Sequence, residues 1–162
     1  MGSIVAVCAS QRRMGPKRDM GEGYLREGYG LLGDAHAGLS ERQVSLLALE
    51  SIERANLALS QACPERSRRA EGREHGIEAG PGDFAENLTT QDVDLLSLPI
   101  GTRLRAGEAV LEVVQIGKSP HVVHTYSFQR LSLLPTEGVF FRVIVGGRVR
   151  KGDEIAAIEG RQ

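Results

Sequence analysis

The chain has 162 residues, with Lys+Arg 20 against Asp+Glu 21 and a formal net charge of -1, a balance that argues against a generic nucleic-acid binder. Hydrophobic residues at 41% and charged residues at 25% are ordinary usage for one globular domain of this length. With aromatics at 4% and no tryptophan, the core is expected to be aliphatic and base-stacking platforms are poorly supplied.

Residues Ser3 to Ala9 form a short β-branched run without helical period, and Gly15-Pro16 then forces a turn, which predicts a strand followed by a basic loop of Arg12, Arg13, Lys17 and Arg18. The apolar opening is too short to span a bilayer and follows no cationic segment, so a cytoplasmic protein without a membrane partner is expected. Cys8 and Cys63 are too few for a disulfide framework or a four-thiolate zinc site. Residues 21 to 38 carry six glycines, a density that a regular helix does not tolerate, and irregular backbone close to a ligand is expected there. Arg42 to Leu47 alternates, and from about 48 to 62 Leu49, Ile52 and Leu59 recur at helical spacing with Glu50, Glu53 and Arg54 opposite, which predicts the one main helix.

Residues 63 to 76 mix arginine and glutamate with almost nothing apolar and read as a mobile surface insertion. Beyond Pro81 the pattern is that of strands: Phe84 to Thr90, Asp94 to Leu98, a hairpin of Thr102 to Arg105 with Ala109 to Gly117, then Val139 to Val145 and Glu154 to Ile158 around the turn Lys151-Gly152-Asp153. Many short strands, one helix and no βαβ alternation predict a mainly β, mostly antiparallel barrel or sandwich with short helical turns, in a single domain over 1–162.

Several short motifs fail on context. Gly28-Tyr29-Gly30-Leu31-Leu32-Gly33 fits a dinucleotide fingerprint but follows a polar segment and opens no helix. Gly117-Lys118-Ser119 lacks the leading glycine of a phosphate loop, and no nucleophile elbow is present. The segments with usable chemistry are others. Asp34 and His36 sit two apart in a loop bounded by Gly33 and Gly38, where a carboxylate and an imidazole can share a pocket or simply cap a turn. Arg42 supplies a guanidinium fork for a phosphate or carboxylate, and Gln43 an amide for a heterocycle edge. Asn87 and Thr89 alternate along a segment that serves a ligand or faces water. His121 and His124, three apart after Lys118, are of a type that binds zinc, although a lone pair is more often unmetallated.

In this order the segments Gly33 to Gly38, Arg42 to Ala48 with Glu50 to Ile52, Pro81 to Thr89, Leu98 to Gly101, Leu111 to Lys118 and Glu137 to Val143 resemble the MOSC family, the molybdenum cofactor sulfurase C-terminal domain, in its stand-alone bacterial form. The resemblance implies a barrel-like β fold, a pterin-based molybdenum or tungsten cofactor, and sulfur transfer or cofactor handling with a sulfur donor or acceptor protein. It further implies that Arg42, Lys118 and Arg142 hold the cofactor's phosphate, that Gln43, Asn87 and Thr89 bond the pterin edge, and that Asp34, His36 and His121 line the reacting end. The family pattern Gly-Lys-x-Cys-His reads here Gly117-Lys118-Ser119-Pro120-His121, so the thiol position is a proline and neither Pro120 nor Ser119 supplies a thiolate. Two other functions stand beside that one. The first is a non-catalytic barrel serving as an interaction module, docking through the basic loop, and the second is a metallohydrolase built on Asp34, His36, His121 and His124.

Overall fold

The computed structural model describes residues 2–12, 15–38, 40–62, 78–117 and 133–158. Eleven strands are present among them: β1 Gly2–Ala9, β2 Arg18–Asp19, β3 Glu22–Arg26, β4 Gly30–Leu31, β5 Val44–Ala48, β6 Leu88–Gln91, β7 Arg103–Ala106, β8 Ala109–Ile116, β9 Val139–Val145, β10 Gly147–Arg150 and β11 Glu154–Ile158. Helix α1 spans Leu49–Ala62, a single-turn helix α2 spans Leu134–Glu137, and a 3-10 turn covers Leu95–Ser97. Seven strands run in the order β11, β7, β8, β9, β5, β6, β1, and β1 pairs again with β11, which closes a barrel. All its pairings are antiparallel except β5 with β6. A smaller sheet, β10-β3-β4, lies beside it.

Closure follows from side-chain alternation. In β5, Val44 and Leu46 enter the central cluster with Ile4, Val7, Leu88 and Leu111, while Leu47 joins a second cluster with Ile52, Ala55 and Phe84 beneath α1. The barrel interior is thus filled with aliphatic side chains and Phe141, as the low aromatic content required, and ligands must be sought on its outer wall. Helix α1 buries Ile52 and Ala55 and leaves Glu53, Arg54 and Leu57 exposed. Asn56 fixes the returning chain with both ends of its amide, donating to the Ala79 carbonyl at 2.8 Å and accepting from the Ala79 N–H at 2.6 Å.

The mainly β barrel, its main helix and the β7–β8 hairpin agree with the sequence pattern. Three segments differ. Phe84 to Thr90 is strand only from Leu88, because the turn that begins at Pro81 takes in Phe84. Residues 21–38 are not simply irregular, since β3 and β4 form a hairpin within them and β10 pairs with β3. Here glycines serve the turn between the strands: Gly30 has φ +126, and a Cβ there would stand 2.6 Å from the Gln43 carbonyl oxygen and 3.4 Å from the Ala37 side chain. Asp94 to Leu98, which reads as a strand, is a 3-10 turn anchored by buried Leu95, because an isolated apolar pair gives too little alternation to decide between the two. The expected insertion at 63–76 lies outside the described residues.

Candidate functional site

Where β1, β5 and β6 meet, the outer wall carries a polar knot. Ser45 lies between inward-facing Val44 and Leu46 and so projects outward. The Asn87 side-chain oxygen accepts from the Ser45 N–H at 3.0 Å and from its hydroxyl at 3.2 Å, the Asn87 N–H donates to Ser45 Oγ at 3.0 Å, and Asn87 Nδ2 donates to the Cys8 carbonyl at 3.1 Å. One buried amide therefore ties three strands together.

The glycine-bounded loop docks beside it. Asp34 is 5% exposed, and its Oδ1 accepts from the Ser10 N–H at 3.1 Å and from Lys17 Nζ at 2.6 Å. Its Oδ2 accepts from the His36 N–H at 3.3 Å, an Asx turn that shapes the loop. Lys17 Nζ also stands 3.2 Å from His36 Nδ1. Burial alone would raise the Asp34 carboxyl, but the hydrogen bond and charge of Lys17, the Ser10 N–H and the Asn87 amide outweigh it, so the acid is held below its ordinary range. Lys17 is only 4% exposed, whereas the His36 side chain is 41% exposed. The pair Lys17–Asp34 is interior, and His36 carries its influence to the surface.

The turn at Pro81–Phe84 clamps Lys17 from the other side. The Lys17 N–H donates to the Gly82 carbonyl at 2.8 Å. Gly82, at φ +88, lies so close that a Cβ would overlap the Lys17 carbonyl and stand 3.3 Å from Cys8 Sγ. Glu86, fully buried, accepts from the Gly82 N–H through Oε1, and its Oε2 has no partner among the described residues. Burial pushes this carboxyl up to about 8, with the Gly82 N–H opposing and Asp83 adding to the shift. Burial, with Glu86 and Asp19 nearby, likewise drives the Cys8 thiol far above its usual range. Cys8 is a protonated thiol and not a nucleophile.

Of the residues singled out in the sequence, Asp34, His36 and Asn87 converge. Arg42 lies on the same outer wall, its guanidinium 5.8 Å from the centre of the Phe140 ring, and Phe140 pairs in register with Ser45. Of the other three, Gln43 and Arg142 are engaged elsewhere, and Thr89 is buried with no hydrogen-bond partner for its hydroxyl among the described residues. Gln43 is inside, its side-chain oxygen accepting from the Val143 N–H at 2.9 Å. Thr89 pairs in register with Leu47, whose side chain packs beneath α1, and is fully buried. Arg142 binds Glu112 through Nε at 3.0 Å and Nη2 at 2.5 Å, with Arg103 on the other carboxylate oxygen. Lys118, His121, His124, Pro120 and Cys63 lie outside the described residues. Among the described residues no group of three or more His, Cys, Asp or Glu side chains is placed to hold a metal ion.

Lys17, Ser10 and Glu86 were not identified from sequence as site residues. Composition hid Lys17, since four cations in one loop look alike until one is buried against a carboxylate; the docking role read for that loop therefore excludes Lys17. Glu86 carried no signal in the sequence, because polar residues at 86, 87, 89 and 90 read as a solvated face until the structure shows all four to be interior.

The sequence profile of the MOSC domain matches residues 33–156. The chain belongs to the MOSC family. Solved structures agree on the fold. YiiM from Escherichia coli is 21% identical with a TM-score of 0.62 over 99% of this chain and 71% of that one, and the YUAD protein of Bacillus subtilis is 19% identical with a TM-score of 0.63 over 96% and 94%. A hypothetical protein of known crystal structure reaches a TM-score of 0.68 at 22% identity, over 99% of this chain and 70% of that one. No curated protein matches the sequence. The family is associated with molybdenum cofactor sulfurase-like proteins, and among the described residues no helix of this MOSC domain is long and apolar enough to cross a membrane.

Proposed function

We propose that this MOSC domain handles a molybdenum or tungsten pterin cofactor at the outer wall around His36, in a reducing cytoplasmic setting. The observation that carries this reading is the junction of the Asp34 loop with Lys17 and Asn87, which brings segments 17, 34–36, 45 and 87 to one polar locus on a barrel whose interior is apolar. The residues fit the anionic and hydrogen-bonding part of such a group: His36 and Arg42 are the partly exposed donors of this wall, and a phosphate is bound best by charge-assisted donors. They do not fit thiolate ligation, because Cys8 is buried and protonated and the family's thiol position is Pro120.

Such a group, when bound, supplies metal-centred redox or sulfur chemistry. This chain's own residues bind and orient it. Asp34 stays ionised and fixes the Lys17 ammonium, Lys17 presents a proton to the His36 ring, and Asn87 holds the seam of strands on which they rest. The roles of Lys118 and His121 in holding phosphate and lining the reacting end belong to the same proposal, as does a sulfur donor or acceptor protein as partner. Protein purified from a host that makes the cofactor should carry molybdenum or tungsten in near-stoichiometric amount, and pterin that fluoresces after oxidation. Absence of both from independent preparations refutes the reading. The missing thiol favours a second one, an interaction module that keeps the fold without sulfur chemistry, and Pro120→Cys separates the two: gained sulfurtransferase activity marks an otherwise competent site, and unchanged inactivity favours the module.

A further inference from the structure

We infer that the groove between β10 and the β7–β11 wall binds an organic phosphate monoester, with its phosphoryl group taken by Arg105 and Arg148 and its apolar body laid on Ala156 and Ile158. The groove measures about 630 Å³, within the roughly 300–1,000 Å³ of small-molecule sites. Leu104 and Val149 point into the barrel core, so their neighbours Arg105, Arg148 and Arg150 project outward and line the groove. Ala156 stands opposite Arg105 in the β7–β11 register, with Ile158 one pair further along the same face, which sets apolar side chains beside the cation. Backbone contacts close the floor: the Gly107 N–H donates to the Glu154 carbonyl at 3.2 Å, and the Glu108 N–H donates to the Arg148 carbonyl at 3.1 Å. Glycine is required at 107, where φ is +57 and a Cβ would stand 2.5 Å from Asp153 Oδ2 and 2.8 Å from the Arg148 carbonyl oxygen.

The groove favours an anion because of how its carboxylates are used. Glu108 Oε2 accepts from the Arg148 N–H at 3.2 Å, and Asp153 Oδ2 accepts from the Arg150 N–H at 2.8 Å, so both acids are turned on the main chain. Among the described residues Arg105 and Arg148 make no ion pair, and Arg150 reaches only Glu22, at 3.6 Å between two exposed side chains. By contrast, Arg103 and Arg142 on neighbouring strands share Glu112. Two uncommitted guanidiniums match the nearly double charge of a phosphate monoester better than the single charge of a carboxylate. Glu154 lines the same groove without a side-chain partner among the described residues and opposes the anion. The polar knot is at the other end of the barrel: Gln115 pairs with Phe140 beside Ser45, whereas Val110 pairs with Val145 at the groove's end of the same two strands.

The inference stands apart from the cofactor reading and is tested in the full chain. Phenyl phosphate, added to nitrogen-15-labelled protein at about pH 7.5, above the second phosphate pKa, should move the amide signals of Arg105, Arg148 and Glu154 and leave those of Ser45 and Asn87 in place. Inorganic phosphate should bind more weakly for want of the apolar contact, and benzoate more weakly for want of the second charge. Arg105→Ala and Arg148→Ala, both at exposed side chains, should each weaken phenyl phosphate binding about tenfold. Glu154→Gln should strengthen it severalfold, a gain that damage to the fold cannot produce. The inference is overturned if the three groove signals do not move, if movement is confined to the polar knot, or if inorganic phosphate or benzoate binds as tightly as phenyl phosphate. It is overturned equally if the double variant Arg105→Ala with Arg148→Ala binds like the wild type, or if Glu154→Gln leaves the affinity unchanged.

Discussion

Replacing Glu86 by glutamine should make the protein more stable, and increasingly so as the pH rises. The Glu86 carboxyl is wholly interior, takes one hydrogen bond from the Gly82 N–H, and offers a second oxygen that no described residue meets. In the folded chain it titrates at about 8, against 4.5 as the ordinary value. A carboxyl with a raised folded pKa binds more protons folded than unfolded, so its contribution is fully present below pH 4.5 and is lost as the pH rises through about 8. Across that window each pH unit removes up to about 1.4 kcal/mol. The whole loss, on the order of 4–5 kcal/mol, is a large part of the 5–15 kcal/mol typical of a domain. Glutamine reproduces the shape and hydrogen bonding of the protonated acid without the titration. Urea unfolding at pH 5, 6, 7 and 8 should therefore show Glu86→Gln gaining on the wild type by about 1 kcal/mol per pH unit, reaching roughly 3 kcal/mol near pH 7. Other groups titrate equally in both proteins and cancel. A stability difference that stays constant from pH 5 to 8 would refute the account, since it would mean that Glu86 is ionised in the fold throughout.

Asp34→Asn strands the Lys17 ammonium in the interior and should cost about 3–5 kcal/mol in urea unfolding, most of it recovered when Lys17→Met is added. Because Asp34 is held below its ordinary 3.8, the stability that it contributes is present above that pH and is lost as the pH falls through the lower folded value; acid titration of the doubly neutralised variant should lack the corresponding proton uptake seen in the wild type. Gly82→Ala combines a positive φ with overlap on the Lys17 carbonyl and should destabilise by about 2–4 kcal/mol, with calorimetry as the measure. In a Cys63→Ser background, Cys8 should resist a disulfide reagent at pH 8 in the native protein and react fully in urea; rapid native labelling would contradict its burial.

The barrel was legible because closure is written in alternation and turns. The hairpin Arg103–Ala106 with Ala109–Ile116 and the strand Val139–Val145 show their inward faces plainly, and α1 shows a 3.6 period. The hairpin β3–β4 was hidden by the glycines that let its turn approach Gln43, since glycine marks irregular backbone and close contact equally. At the site, Asp34 and His36 stood out only as a carboxylate and an imidazole sharing a loop bounded by Gly33 and Gly38, and Asn87 as an amide alternating with a hydroxyl along one segment, each equally readable as a turn cap or a solvated side chain. Arg142 could not be judged, because its neutralising partner Glu112 lies thirty residues away in sequence and becomes adjacent only through the β8–β9 register. Charge type is a property of sequence, and whether the charge is available is a property of pairing.

The same distinction bears on the absent thiol. Cys8 lies against the Gly82 turn, in the middle of the polar knot, so location alone would make it a substitute for the sulfur carrier. Its surroundings argue the opposite: burial and the neighbouring Glu86 and Asp19 carboxyls favour S–H, and the cation that would favour thiolate, Lys17, is the smaller influence and is itself held by Asp34. Exchanging Glu86 for glutamine removes its charge only where the pH exceeds about 8 and leaves the thiol fully buried, and burial is the larger cause. The fold therefore keeps the thiol at this junction inert by packing, and sulfur chemistry on this chain would have to be introduced from outside the knot, which is why Pro120→Cys is the informative restoration and activation of Cys8 is not.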